Sequence, residues 1–323
     1  MDSNVPKDTN SHKFFQASFV GESSMISVEK IVKQLLLSTL DSCHRWLDLQ
    51  FDRQIVAKIL DTKIALLTPK FAQLRLAPEQ VQYLFTVKLM PLGYSCPLGL
   101  LLAAYWQISL RETIDNLCQF LVSTATSAPS FQLGAQITPS GWLNFYLDSS
   151  AVADWLERSR SWMAAIELPA TVKYPLCQTP KNLFPVQYIY ARCCSLLRLG
   201  AKENLIILHQ DWHSANCLIA EPEAIWLNSD NRLCLDREAE YQILRQLLIV
   251  ADAWQRETNV DWFKIAWELS RTTAIFQANC RFLGKVRREP QKAIARLGLL
   301  DLVRSWLYLI LQVKLKIASP MEL

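Results

Sequence analysis

Glycine is scarce in this chain, with 8 residues among 323. Sandwiches, propellers and dinucleotide-binding folds need glycine in their turns and phosphate-binding loops. The scarcity counts against those folds and predicts a mainly α protein. Proline is also infrequent, at 14 residues, but four of them fall in one short stretch that begins at Pro169 and ends at Pro185. Such a stretch forms neither a regular helix nor a central strand, so it predicts a domain boundary.

The sequence has no hydrophobic run long enough for a membrane span. The longest near-apolar run covers residues 97–106, whereas a transmembrane helix needs about 20 residues. Residues 1–13 are polar and lack the apolar core of a secretory signal. The nine cysteines then indicate a reducing compartment, where thiols are small core residues rather than disulfide partners. We expect a soluble cytoplasmic protein with no membrane partner.

The composition itself is that of a folded protein with an uneven charge distribution. Hydrophobic residues make up 51% and aromatic residues 10% of the chain, which excludes a mainly disordered protein. Residues 1–170 hold 14 basic and 15 acidic side chains, whereas residues 171–323 hold 20 basic and 15 acidic ones. A basic C-terminal part is compatible with an anionic partner. An ordinary solvated surface explains the charge equally well.

The motifs of common enzyme classes are absent from the sequence. It contains no G-x-G-x-x-G, no G-x-x-x-x-G-K-[ST], no G-x-S-x-G and no C-x-x-C. His209, His213 and Cys217 have the spacing of three metal ligands on one helix face. The strand-like residues 205–208 that precede them disfavour a helix, so surface histidines beside a buried cysteine are the favoured interpretation. We expect no metal, no cofactor and no small-molecule substrate.

Hydrophobic periodicity divides the chain into segments on either side of the proline-rich stretch. Residues 1–24 are expected to form a flexible polar tail and 168–183 a linker. Between them the patterns predict helices that begin at Ser27, at 51, 78 and 97, at Ser109 and at Ser149 or Ser150, together with strands at 133–138 and 142–147. After the linker they predict helices at 184–199, 236–256, 260–282 and 290–316, and strands at 205–208 and 224–227.

Five basic residues near the C-terminus are spaced as on one helix face. They are Arg281, Lys285, Arg288, Lys292 and Arg296, at steps of 4, 3, 4 and 4. If these residues were helical they would form a ridge suited to phosphates. Pro290 interrupts the ridge, so two helices joined by a corner, or a solvated helix face, are alternatives.

Three segments of the C-terminal part resemble class I arginyl-tRNA synthetases, in the same order along the chain. Residues 187–198 (QYIYARCCSLLR) resemble V-Q-Y-A-H-A-R-I-C-S-I-L-R, the first helix of the DALR anticodon-binding domain. Residues 275–284 (IFQANCRFLG) are similar to its F-Y-N-A-C-R-V-L-G segment. Residues 302–320 resemble the terminal helix and tail. The resemblance implies that 184–323 form an all-α DALR-type helical bundle.

The N-terminal part resembles the additional domain of the same synthetases. Residues 93–98 (GYSCPL) are similar to its G-D-Y-S segment, and residues 139–147 (PSGWLNFYL) to its P-G-F-I-N-F-x-L strand. The resemblance implies an α+β domain over 25–167. In the family a catalytic Rossmann domain with H-x-G-H and K-M-S-K-S signatures lies between these two domains. Neither signature occurs here, so the resemblance implies a pseudoenzyme without aminoacylation activity.

The resemblance implies a non-catalytic protein that binds tRNA or a tRNA-like RNA at its elbow and anticodon arm. Asn144 matches a strand asparagine that contacts a D-loop base, and Tyr146 lies two residues on. The other candidate RNA-binding residues are Tyr188, Arg192, Gln277, Arg281, Lys285, Arg288 and Lys292.

Three positions depart from the family pattern, and they leave a second function open. Tyr94 replaces an aspartate, Gln277 replaces a stacking tyrosine and Leu323 replaces the terminal methionine. The alternative is a protein-interaction or assembly module that has lost RNA binding, with a synthetase or another protein as partner.

Overall fold

The computed structural model describes residues 14–18, 27–28, 30, 32, 36, 65–66, 92–125, 132–166, 183–209, 218–222, 226–255 and 260–322. Over these residues the chain is mainly helical with a small sheet, which confirms the predicted fold class at that level. Its residues group into two units. The first comprises 1–21, 29–84 and 93–148, and the second comprises 22–28, 85–92 and 149–323.

Five short strands form the sheet of the first unit. They are β1 (Phe14–Ser18), β2 (Ala65–Leu66), β3 (Leu92–Cys96), β4 (Gln132–Ile137) and β5 (Leu143–Leu147), in the spatial order β1-β4-β5-β3-β2. The pairs β1–β4, β4–β5 and β2–β3 are antiparallel. The expectation of a flexible tail over 1–24 is wrong at β1, because this strand pairs with β4 over all five of its residues.

Two glycines are required by the geometry of this sheet. Gly141 ends the turn between β4 and β5 at a φ of 77°, and the turn is closed by the Thr138 N–H donating to the Trp142 carbonyl at 2.8 Å. Gly93 lies against β5, and a Cβ added to it would meet the Phe145 carbonyl oxygen at 1.9 Å. The predicted turn over 139–141 is therefore confirmed, and Gly93 lets two strands approach closely.

The predicted helices of this part are present where the structure describes them. α1 spans Leu98–Trp106, α2 spans Leu110–Ala125 and α3 spans Ser149–Ala164. Ser109 caps α2, since its Oγ accepts from the Glu112 N–H at 3.2 Å. The helices predicted at 51 and 78 lie outside the described residues.

The two units separate after Asp148, before the predicted linker. α3 belongs to the second unit, because Trp162 stacks on Trp306 with ring centroids 5.4 Å apart and an interplanar angle of 27°. The proline content of 168–183 therefore did not locate the change of unit. Residues 167–182 themselves lie outside the described residues.

Four long helices build the second unit. They are α4 (Phe184–Lys202), α5 (Glu238–Gln255), α6 (Trp262–Asn279) and α7 (Pro290–Leu309), and a π-helical segment, Ile310–Leu315, continues α7. α7 packs against α4, and α5 against α6. Every residue of α7 from Ala293 onward is buried, which is typical of a central helix.

A two-stranded sheet of β6 (Ile207–Leu208) and β7 (Ile219–Glu221) interrupts the helical pattern of this unit. The expectation of an all-α bundle over 184–323 is therefore wrong at this point, whereas the strand expected at 205–208 is present in part as β6. Buried Asp301 of α7 fixes β7, because its two carboxylate oxygens accept from the N–H groups of Leu218 at 2.8 Å and Ile219 at 2.9 Å. The strand predicted at 224–227 lies partly outside the described residues. Among the described helices, none is long and apolar enough to cross a bilayer.

Candidate functional site

The two predicted RNA-binding residues of the sheet are buried. Asn144 and Tyr146 are each 1% exposed. The Ser95 hydroxyl donates to Asn144 Oδ1 at 2.7 Å, and the Tyr146 hydroxyl donates to Gln136 Oε1 at 3.2 Å. Both residues lie on β5, an interior strand of the sheet, so their side chains stabilise the first unit. The expected contact of these side chains with a D-loop base is therefore not supported.

Exposed aromatic rings lie at the start of α4. Phe184 is 62% exposed and Tyr188 is 47% exposed. Their rings stack with centroids 6.2 Å apart and an interplanar angle of 26°. Arg192, also exposed, follows Tyr188 by four residues, so the three side chains form one stripe along the helix. Phe184 was not among the predicted site residues, although its position four residues before Tyr188 was the available signal.

A groove begins at Arg192, the last residue of this stripe, and lies between α4 and the end of α6. It has a volume of about 380 Å³ and brings together the predicted residues Arg192, Gln277 and Arg281. Its apolar surface comes from α4, from the end of α6 and the segment that follows it, and from α7, through Leu196, Leu199, Phe276, Phe282, Leu283 and Leu300. The tertiary structure therefore joins three predicted residues that are up to 89 positions apart in the sequence.

The thiols beside the groove are neutral at physiological pH. The Gln277 amide Nε2 donates to Cys193 Sγ at 3.6 Å, and Cys193 is fully buried. Burial raises the pKa of Cys193 above its ordinary range. Burial, with a smaller contribution from the Glu240 carboxylate, raises the pKa of Cys280 to about 11. Since the thiolate is the nucleophile and the metal ligand, the raised pKa values make both thiols weak nucleophiles at neutral pH.

A buried ion pair stabilises the segment between α6 and α7 that contains Arg281. Arg296 is 1% exposed, and its Nε donates to Glu240 Oε1 at 2.6 Å. Arg296 Nη1 donates to the Arg281 backbone carbonyl. Arg296 therefore braces the segment after α6, with Glu240 as its counter-ion.

The predicted basic ridge does not form as one surface. Residues Gly284–Arg288 form a 3₁₀ helix and Pro290 begins α7, so the helical spacing is broken at the corner. Arg296 is buried, and Lys292 Nζ lies 2.7 Å from an Asp236 carboxylate oxygen. Arg288 is exposed, and the side chain of Lys285 lies outside the described residues. Of the four ridge residues whose side chains the structure describes, only Arg281 lines the groove.

The histidine cluster was the remaining sequence candidate. His209 is exposed, and its backbone N–H donates to the Leu218 carbonyl at 2.7 Å. His213 and Cys217 lie outside the described residues.

Comparisons with family models, curated proteins and solved structures found no match to this chain. The synthetase resemblance therefore rests on the sequence segments quoted above.

Proposed function

We propose that this protein binds tRNA or a tRNA-like RNA as a non-catalytic relative of arginyl-tRNA synthetase, with the groove beside α4 as its contact surface. The observation that supports the proposal is the stacked, exposed pair Phe184 and Tyr188 in line with Arg192 at the groove. Unpaired bases stack on aromatic rings, and guanidinium groups bind phosphates with two parallel hydrogen bonds.

The groove offers single-stranded RNA both a contact for its phosphates and a contact for its bases. Arg192 on α4 and Arg281 beyond α6 place a positive charge on either wall. The apolar lining between them suits an unstacked base, since bases present a flat π-face to any apolar or aromatic surface. The proposal rests on the second unit, because Asn144 and Tyr146 of the first unit are buried.

Binding of bulk tRNA to the full-length protein tests the proposal. Affinity should fall steeply as salt rises from about 50 to 200 mM, because each phosphate contact releases condensed counterions. Arg281→Glu should weaken binding and reduce the slope of log K against log salt by about 1. Tyr188→Ala should weaken binding about five-fold to 150-fold at every salt concentration, because it removes a stacking surface worth roughly 1–3 kcal/mol.

Lys264→Glu is the matched control for the charge reversal. Lys264 is exposed in the first turn of α6, 13 residues before Gln277 and therefore about 20 Å along the helix. A carboxylate there is also compatible with the helix dipole. Equal losses for Lys264→Glu and Arg281→Glu, or no tRNA retention at about 50 mM salt, would contradict the proposal.

The second candidate is a protein-interaction module that uses the same surface. The 62% exposure of Phe184 favours it, since exposed aromatic side chains are typical of interface centres. Affinity capture of the protein from extract, with and without nuclease, separates the two functions. Loss of the captured material on nuclease treatment supports RNA, and a stoichiometric protein that survives treatment supports the alternative.

A further inference from the structure

A cluster of four tryptophans lies in the second unit, contributed by α3, α5, α6 and α7. Trp306 is fully buried and contacts two of the others: its ring centroid lies 5.4 Å from that of Trp162 and 5.7 Å from that of Trp254. Trp262 meets Trp254 at 5.4 Å, with an interplanar angle of 70°. The rings of Trp254 and Trp262 are both partly exposed and form the two walls of a corner. The buried indole of Trp306 packs against Trp254.

This corner is occupied by the ammonium group of the chain's own Lys314. The Nζ atom lies 4.3 Å from the Trp254 ring centroid and 5.0 Å from that of Trp262. Indole is the aromatic group that attracts cations most strongly, and both distances are within the roughly 6 Å range of a cation–π contact. Lys314 itself is exposed, so its ammonium can leave the corner without opening the core.

We propose that the Trp254–Trp262 corner is a binding site for alkylammonium cations, and that Lys314 is an internal occupant which such a ligand displaces. Methylated ammonium groups are poorly hydrated and pack against indole faces while they keep their charge, which is how aromatic cages bind them. A primary ammonium is more strongly hydrated than its methylated forms. A methylated ligand therefore loses less hydration free energy than Lys314 does when it moves from water to the same two rings. This site is separate from the groove and does not depend on the proposed RNA function.

The chain after Lys314 is held by other contacts, so displacement of this side chain leaves the fold in place. Gln187 Nε2 donates to the Ala318 carbonyl at 2.9 Å, and Gln312 Nε2 donates to the Ser319 hydroxyl at 2.7 Å. An intramolecular occupant lowers the apparent affinity of a free ligand in proportion to the fraction of molecules in which the corner is empty. The wild-type site should therefore bind a free ligand more weakly than a variant that lacks Lys314.

Titration of the full-length protein with tetramethylammonium chloride, followed by the indole N–H resonances in NMR, tests the site. Lys314→Ala should bind the cation saturably and about five-fold to 30-fold more tightly than wild type, because the two cation–π contacts of the tethered ammonium no longer compete. Trp254→Phe and Trp262→Phe assign the two responding resonances among the 11 tryptophans. Lys316→Ala, at an exposed lysine two residues on, should behave as wild type.

Two controls make the result decisive. tert-Butanol, a neutral molecule of similar shape, should not shift these resonances, and sodium chloride at equal concentration corrects for ionic strength.

Lys314→Met repeats the test with a side chain of similar length, in case the alanine variant melts at a lower temperature. N-acetyl-trimethyllysine amide and phosphocholine then distinguish a methylated protein from a choline headgroup as the source. Equal binding by wild type and both Lys314 variants, or an equal response to tert-butanol, overturns the proposal.

Discussion

Replacement of Arg296 by methionine should destabilise the second unit and loosen the groove. The methionine keeps part of the apolar stem but removes every donor. Two bonds are lost: the one from Nε to Glu240 Oε1 at 2.6 Å, and the one from Nη1 to the Arg281 carbonyl. Both members of the ion pair are buried, at 1% exposure for Arg296 and 0% for Glu240, so solvent screens little of the interaction.

The size of the stability loss depends on the Glu240 carboxylate, which the substitution leaves buried without its counter-ion. Removal of one partner from a buried ion pair costs about 3–5 kcal/mol, because the other charge stays buried without its counter-ion. Glu240 Oε2 still accepts from the backbone N–H groups of Asp236 at 2.6 Å and Arg237 at 2.7 Å. These two bonds satisfy part of the stranded carboxylate, so the cost should fall near the lower end, at about 3 kcal/mol. Arg296→Lys keeps the positive charge beside Glu240, so it should cost less than Arg296→Met. It should still fall below wild-type stability, because a lysine cannot reach both acceptors.

Urea unfolding of the single and double variants measures the effect. Glu240→Gln alone leaves the Arg296 guanidinium buried without a counter-ion and should also lower the free energy of unfolding by about 3 kcal/mol. The double variant Arg296→Met with Glu240→Gln should cost at least about 2 kcal/mol less than the sum, because neither charge is then left unpaired. Additive costs, or a loss below about 1 kcal/mol for Arg296→Met, would be the behaviour of an exposed pair and would refute the reasoning.

Three further predictions follow from single contacts. Gly93→Ala should prevent the first unit from folding normally, because its Cβ would lie 1.9 Å from the Phe145 carbonyl oxygen; circular dichroism showing an unchanged melting temperature would contradict this. Lys292→Ala should lower the free energy of unfolding by only about 1 kcal/mol or less, because its partner Asp236 is exposed and screened by solvent. In the folded protein, alkylation of Cys280 should keep accelerating as pH rises to about 11, because burial raises its pKa to about 11. Peptide mapping that shows the rate levelling near pH 9 would exclude a raised pKa for this thiol.

Much of the secondary structure could be predicted from local pattern. Ser109 as the cap of α2, the turn at Gly141, and the starts of α3 and α4 all depend on residues close in sequence, so local chemistry decides them. β1 was missed because its pairing with β4 depends on residues about 120 positions away. A short isolated segment such as Phe14–Ser18 acquires strand structure when a strand that is distant in sequence offers it an edge with free backbone hydrogen-bonding groups.

The candidate site was predicted in part. The family resemblance selected Tyr188, Arg192, Gln277 and Arg281, and all four are exposed or line the groove. The basic ridge was wrong, since equal spacing predicts one face only if the helix is continuous, and the chain turns at Pro290. Burial of Asn144 could not be predicted, because strand alternation does not indicate that both faces of a strand are covered.

The sequence by itself determined a mainly helical chain without the motifs of common enzyme classes, since glycine content, hydrophobic periodicity and motif spacing are properties of the chain alone. The tertiary structure decided which of the basic residues remain available to a ligand. Arg281 and Arg296 belong to the same sequence pattern, yet one lines the groove and the other is buried against Glu240. The difference arises because charge is local in sequence, whereas burial and counter-ions come from helices that meet only when the chain folds.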